Sequence, residues 1–176
     1  MGEEFGGARL NNFNFSQKVS EDISDWMKGK CDMLIFSGGV GIGKTHFASA
    51  MYAWFYGKVP SIRMYKETRF FRDLYCGMDS KINSSSLIDK IDDDLLIWDD
   101  LGVEKTENEW VKSIIHEIFD YRHSYRKPTI ITTNLSSSQI LHVYGARIWD
   151  RLMDKRNKVI ELFDQPSIRA NRHLIE

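Results

Sequence analysis

Residues 32 to 45 read DMLIFSGGVGIGKT. The run Asp32 to Ser37 is short and apolar, which predicts a buried strand. It ends in the glycines Gly38, Gly39, Gly41 and Gly43. Residues 38 to 45 fit the pattern G-x-x-x-x-G-K-[ST], with a strand before it and a helix after it. Glycines allow successive backbone N–H groups to curl inward as an anion nest, and the start of a helix adds its positive dipole end. Lys44 supplies a point charge for β- and γ-phosphates, and Thr45 a hydroxyl for Mg²⁺. The nucleotide-contacting set is therefore Gly38, Gly39, Val40, Gly41, Ile42, Gly43, Lys44, Thr45 and His46. The rings of His46 and His116 read as ordinary helix residues, because no metal-ligand spacing surrounds them.

Working outward, the chain alternates helix and strand patterns, and this predicts a parallel sheet covered by helices. A helix over about Lys44–Tyr56 presents Phe47, Ala50, Met51, Trp54 and Phe55, and Gly57 stands where a C-terminal glycine belongs. A weaker strand is expected at Ser61–Tyr65, then helices at about Lys66–Met78 and Ser84–Ile91. DLLIW at Asp94–Trp98 predicts a central strand. The helix at about Glu107–Tyr125 carries Trp110, Val111, Ile114, Ile115, Ile118 and Phe119, with Thr106 and Glu109 as a capping box. TIITT at Thr129–Thr133 is a β-branched strand. Short helices over about Ser136–Tyr144 and Ala146–Lys155 precede a last strand, Lys158–Phe163.

A phosphate cradle of this kind needs an acid at the end of another strand. LLIWDDLG supplies it at 95 to 102. Asp99, directly after the apolar run, is the expected Mg²⁺ carboxylate, and Asp100 the base that activates water. Asp92, Asp93 and Asp94 sit at the strand entrance and read as solvated. Asn134, after TIITT, can orient a water at the γ-phosphate. All three strand ends lie where open parallel sheets bind ligands.

Composition sets the limits around this. The chain has 176 residues, 42% hydrophobic and 28% charged, with a net charge of −1. One domain with a core of its own is expected, and a disordered chain is excluded. A uniformly basic nucleic-acid coat is excluded too. Two cysteines, Cys31 and Cys76, form no CxxC pair, which argues against a zinc cluster and for a reducing compartment. No stretch is long and apolar enough to span a membrane, and a cytoplasmic location is expected.

The ordered runs GGVGIGKTHFA, LLIWDDLGVEK, EIFDYRH, PTIITTNLS and GARIWDRLM resemble the DnaC/IstB family of AAA+ ATPases over roughly residues 10 to 170. That family includes bacterial replicative-helicase loaders and transposition helpers. The resemblance implies an α/β, three-layer P-loop NTPase fold with a five-stranded parallel sheet in the order 5-1-4-3-2. It divides the chain into a leader with a short helix (1–30), an AAA+ ATPase domain (31–170) and a basic tail (171–176). It makes Asn134 the sensor of the γ-phosphate and Arg151 the arginine that reaches a neighbouring subunit's ATP. Arg147, four residues earlier, shares a helix face with Arg151, and Arg169 resembles a second sensor arginine. Loaders of this kind resemble a two-part chain whose N-terminal part grips the helicase. About 30 residues precede the first strand here, so the sequence reads as an ATPase core. Trp98 stands where an aliphatic residue is usual, and the second acid is Asp, one methylene shorter than Glu, which predicts slow basal hydrolysis.

Residues 63 to 72 read RMYKETRFFR. Arg63, Lys66, Arg69 and Arg72, interleaved with Tyr65, Phe70 and Phe71, carry the chemistry of single-strand binding, with the aromatics in the core and arginines toward DNA. Arg122, His123, Arg126 and Lys127 read as cations complementing a helix C-terminus. The expected function is an ATPase that assembles as a homo-oligomer on single-stranded DNA, with ATP and Mg²⁺ as cofactors and a replicative helicase as partner. The alternatives are a transposition helper acting on duplex DNA with a transposase, and a nucleotide-gated binding module with negligible hydrolysis.

Overall fold

A computed structural model describes residues 13, 15–76, 84–103 and 108–164. Its elements are α1 (Gln17–Met27), β1 (Met33–Gly38), α2 (Lys44–Phe55), β2 (Ile62–Lys66), α3 (Glu67–Cys76) and α4 (Ser84–Ile91). They continue with β3 (Leu95–Leu101), α5 (Glu109–Ser124), β4 (Thr129–Thr133), α6 (Ser137–Tyr144), α7 (Ala146–Leu152) and β5 (Lys158–Leu162). The five strands form one parallel sheet, β2-β3-β4-β1-β5. Read from the opposite edge, this is the expected order.

Strand alternation builds a core on each face of the sheet. Met33 and Ile35 of β1, Leu96 and Trp98 of β3 and Ile131 of β4 face α3, α4, α5, α6 and α7. Leu34, Phe36, Leu95, Ile97, Ile130 and Ile160 face α1 and α2. Ile23 and Trp26 of α1 belong to this second core, and the Trp26 indole N–H donates to the Asp32 carbonyl at 3.3 Å.

Several local expectations change. Phe55, not Trp54, extends the buried row of α2 from Phe47 and Met51, and it packs edge-on against Trp26 at 5.8 Å. Trp54 is exposed, with the Lys58 ammonium 3.5 Å from its ring. The cap of α5 is Asn108, whose side chain accepts from the Trp110 N–H; Thr106 lies outside the described residues.

The three acids before β3 are bonded rather than merely solvated. Asp94 accepts from the Ser61 hydroxyl at 2.7 Å, Asp93 pairs with Arg63 at 2.6 Å, and Asp92 pairs with Lys127 at 2.7 Å. Arg122 is the largest departure at this end. It is fully buried, donating to the carbonyls of Ile91, Asp93 and Pro128 and to the Thr129 hydroxyl. Burial pushes its guanidinium down to about 10. It joins α4, β3 and β4 instead of capping a helix in solvent.

Candidate functional site

The loop after β1 is held tightly. A Cβ on Gly38 would lie 2.4 Å from the Ile42 Cδ1 and 2.9 Å from the Leu162 carbonyl oxygen. Ile42 is buried beneath the loop while Val40 is exposed at its tip. Gly43, at φ 95°, is the N-cap of α2 and has no side chain to bond the first-turn N–H groups. Those donors therefore suit an external anion. The buried Lys44 ammonium donates to the carbonyls of Gly38 at 2.9 Å and Gly39 at 2.7 Å, which holds its charge against the loop. His46, the next residue but one, turns its ring toward Phe13 at 5.3 Å.

Two strands away, the end of β3 is built by threonines of β4. The Thr132 hydroxyl donates to the Asp99 carboxylate at 2.6 Å and accepts from the Asp100 N–H at 3.0 Å. The Thr133 hydroxyl donates to the Leu101 carbonyl at 2.7 Å. The β3–β4 register shifts between Trp98 and Leu101, a bulge that sets Asp100 at φ 64°. Bulges re-aim side chains where an unbroken strand would only alternate them. The shift puts Trp98 and Leu101, three apart, on the same core face and leaves Asp99 and Asp100 at the strand end.

Asp99 is fully buried and hydrogen-bonded to Thr132, and the Thr45 hydroxyl also acts on it. Burial pushes its carboxyl up, Asp100 adds to that, and the Thr132 and Thr45 hydroxyls and Lys66 pull against it. A buried carboxylate beside a threonine hydroxyl is a donor set of hard oxygens that suits Mg²⁺, whose charge would relieve the cost of burying the anion. Asp100 remains partly exposed and is paired with Lys66 at 3.2 Å. Asn134 follows β4 and is half-buried. Its strand lies between those ending in the glycine loop and the acid pair.

The remaining candidates lie elsewhere. Arg147 and Arg151 are on α7. Arg151 pairs with Asp120 of α5 at 2.9 Å, and both arginines act on Asp120 and His116, so they share a face. Arg169 lies outside the described residues. Phe70 and Phe71 are core residues, and Tyr65 packs against Phe70 at 4.8 Å. The basic residues around them stay outside. Arg63, Lys66 and Arg69 line an open groove of about 420 Å³ along the edge strand β2. Arg69 and Arg72 are well exposed, at 3.9 Å and 3.6 Å from Asp73.

Two residues of this region escaped sequence reasoning. Thr132 shows in the sequence only as a β-branched strand residue. Glu67 carries no motif, yet it stands three, four and seven residues before Phe70, Phe71 and Leu74 and so shares their buried face, the one signal that finds it. Its carboxylate is fully buried and accepts from the Trp98 indole at 3.2 Å and the Gly102 N–H at 3.1 Å.

Comparison with known proteins agrees with this architecture. The model of the family described as IstB-like ATP binding protein matches residues 11–171. The replicative helicase loader DnaC of Escherichia coli K12 is 30% identical over 151 residues, which are 81% of this chain and 58% of that protein. The DnaC of Buchnera aphidicola subsp. Schizaphis graminum is 32% identical over 142 residues, 78% of this chain and 54% of that one. The chain thus spans somewhat over half the length of these curated relatives. Among solved structures, a DnaC helicase loader superposes with a TM-score of 0.75 at 22% identity, over 92% of this chain and 99% of that one. The replication initiator DnaA bound to AMPPCP and single-stranded DNA superposes at 0.74 with 18% identity, over 96% and 54%.

Proposed function

The chain belongs to the IstB-like ATP binding protein family, and on that footing we propose that it binds and slowly hydrolyses ATP to control assembly on single-stranded DNA during loading of a replicative helicase. The observation that carries this reading is the buried Asp99 carboxylate at the end of β3, on which the hydroxyl of Thr45, at the start of the helix after the glycine loop two strands away, exerts a pull that favours its charged form. On this reading the phosphate-binding and metal-binding groups stand on either side of β4.

In this reading the first-turn N–H groups of α2 and the Lys44 ammonium hold the phosphates. Thr45 and Asp99 are the residues that would hold Mg²⁺, which supplies charge neutralisation at the phosphate oxygens when bound. Asp100, more exposed than Asp99, takes the proton of the attacking water. Asn134 orients that water. Arg151, with Arg147 on the same face of α7, serves the site of an adjacent subunit. Arg63, Lys66, Arg69 and Arg72 meet nucleic-acid phosphates along the β2 groove. Lys66 also grips Asp100, so the basic segment touches the catalytic acid directly. The helicase-loader names of the curated relatives favour a loader over a transposition helper.

The test is ATP turnover, with and without single-stranded DNA, for the wild-type chain and Asp100→Asn. Wild-type turnover should exceed that of the variant by on the order of a hundredfold or more. It should also change on adding DNA, and that response should fade with salt. Wild-type turnover no faster than that of Asp100→Asn would turn the protein into a nucleotide-gated binding module.

A further inference from the structure

Glu67 is a fully buried carboxylate with no part in the chemistry described above. A charge at such a place is costly unless hydrogen bonds offset it, and an apolar residue of similar size would often serve the core as well. Two of its partners are spaced in a telling way. One oxygen accepts from the Trp98 indole at 3.2 Å, and the carboxylate also accepts from the Gly102 N–H at 3.1 Å. Asp99 and Asp100 lie between these two anchor points.

The intervening turn needs holding. Asp100 sits at φ 64° inside the bulge, and Gly102 follows at φ 94°. A Cβ on Gly102 would lie 2.6 Å from the Leu135 Cδ1, so only glycine passes beneath Leu135 with its N–H turned to Glu67. Thr132 and Thr133 tie the turn to β4, on one side. Glu67 opens α3 and ties it from the other side, directly after Lys66, whose ammonium is 3.2 Å from the Asp100 carboxylate. The indole at position 98 acquires a purpose, because an aliphatic residue there would offer Glu67 no donor.

We propose that Glu67 is the positioning residue of Asp100: by clamping Trp98 and Gly102 it fixes the turn that aims the water-activating carboxylate. This rests on the reading of Asp100 given above. Both oxygens of Glu67 accept, so Glu67→Gln turns an NH₂ group toward an N–H donor. In Glu67→Gln/Trp98→Phe the indole donor is gone, and the single amide oxygen remains for Gly102.

The experiment compares kcat and the affinity for a fluorescent ATP analogue in the wild type, Asp100→Asn, Glu67→Gln and the double variant. Glu67→Gln should bind nucleotide within about twofold of the wild type, yet lose on the order of tenfold to a hundredfold in kcat. The double variant should regain kcat to within about threefold of the wild type. Loss of nucleotide affinity in parallel with kcat, or no recovery in the double variant, overturns the proposal. Should Glu67→Gln fail to fold, the double variant decides alone: wild-type affinity with restored kcat supports the clamp, and wild-type affinity without turnover refutes it. A wild type no faster than Asp100→Asn removes the reading of Asp100 and the clamp together. A wild type far faster than Asp100→Asn, with Glu67→Gln at full kcat, removes the clamp alone.

Discussion

At the scale of single residues the site holds its cost in Asp99. The carboxylate is fully buried, its pKa is raised by burial, and the two threonine hydroxyls only partly offset that. Sites poised for a cation carry such uncompensated charge, and neutralising it tends to stabilise the fold at the expense of activity. Asp99→Asn should therefore melt higher than the wild type by on the order of a few °C at neutral pH, measured without nucleotide or magnesium. It should also lose the upward shift in melting temperature that Mg·ATP gives the wild type. A lower melting point for the bare variant would mean that Asp99 is held as a structural anion and is not waiting for a metal.

Single elements show how a residue type acquires its meaning from what lies opposite. Arg122 ends a helix, yet its side chain turns inward to the segment before β3 and the start of β4. Leu95 begins β3 one residue after the Asp92–Asp94 run, so Arg122 fixes where that strand enters the sheet. Removing the guanidinium takes a donor from the carbonyls of Ile91 and Asp93, while that of Pro128 keeps the Leu96 N–H at 3.2 Å. Each buried, unsatisfied group costs about 1–3 kcal/mol. Arg122→Met, which keeps much of the apolar stem, should lower the stability from urea unfolding by about 3 kcal/mol. A loss under about 1 kcal/mol would show that water replaces the guanidinium freely.

For the whole molecule the informative residue is Arg151. Within one chain it pairs with Asp120, and burial, which raises the Asp120 carboxyl, is outweighed by Arg151, Arg147 and His116, leaving it below the ordinary carboxylate range. Both partners remain about one-third exposed, so the pair is worth little by itself and can exchange for a stronger anion. A subunit that receives Arg151 from its neighbour should be active only in an assembly. Lys44→Ala and Arg151→Ala should each be inactive alone, and mixing them should restore a sizeable fraction of wild-type turnover per intact site. No recovery on mixing, at concentrations where the wild type assembles, would assign Arg151 a role within its own chain.

Local signals made much of this legible in the sequence. The glycine loop, its lysine and threonine, the acid pair after an apolar run and the alternation of helix with strand are short-range patterns. Their physics is backbone freedom, charge and periodicity within a few residues. They determined the five strands, the parallel sheet, the helix start at which Lys44 and Thr45 stand and the strand ends that carry Asp99, Asp100 and Asn134, and the ordered motifs added the family and the order of the strands. Only the tertiary structure decided the partners: Thr132 with Asp99, Lys66 with Asp100, Arg122 with three carbonyls, and Glu67 with Trp98 and Gly102. Those pairs are 31 to 35 positions apart where Glu67 is concerned, and a hydrogen bond depends on distance and direction in space. The bulge at Asp100 is of the same kind, because it exists only in the register of β3 against β4.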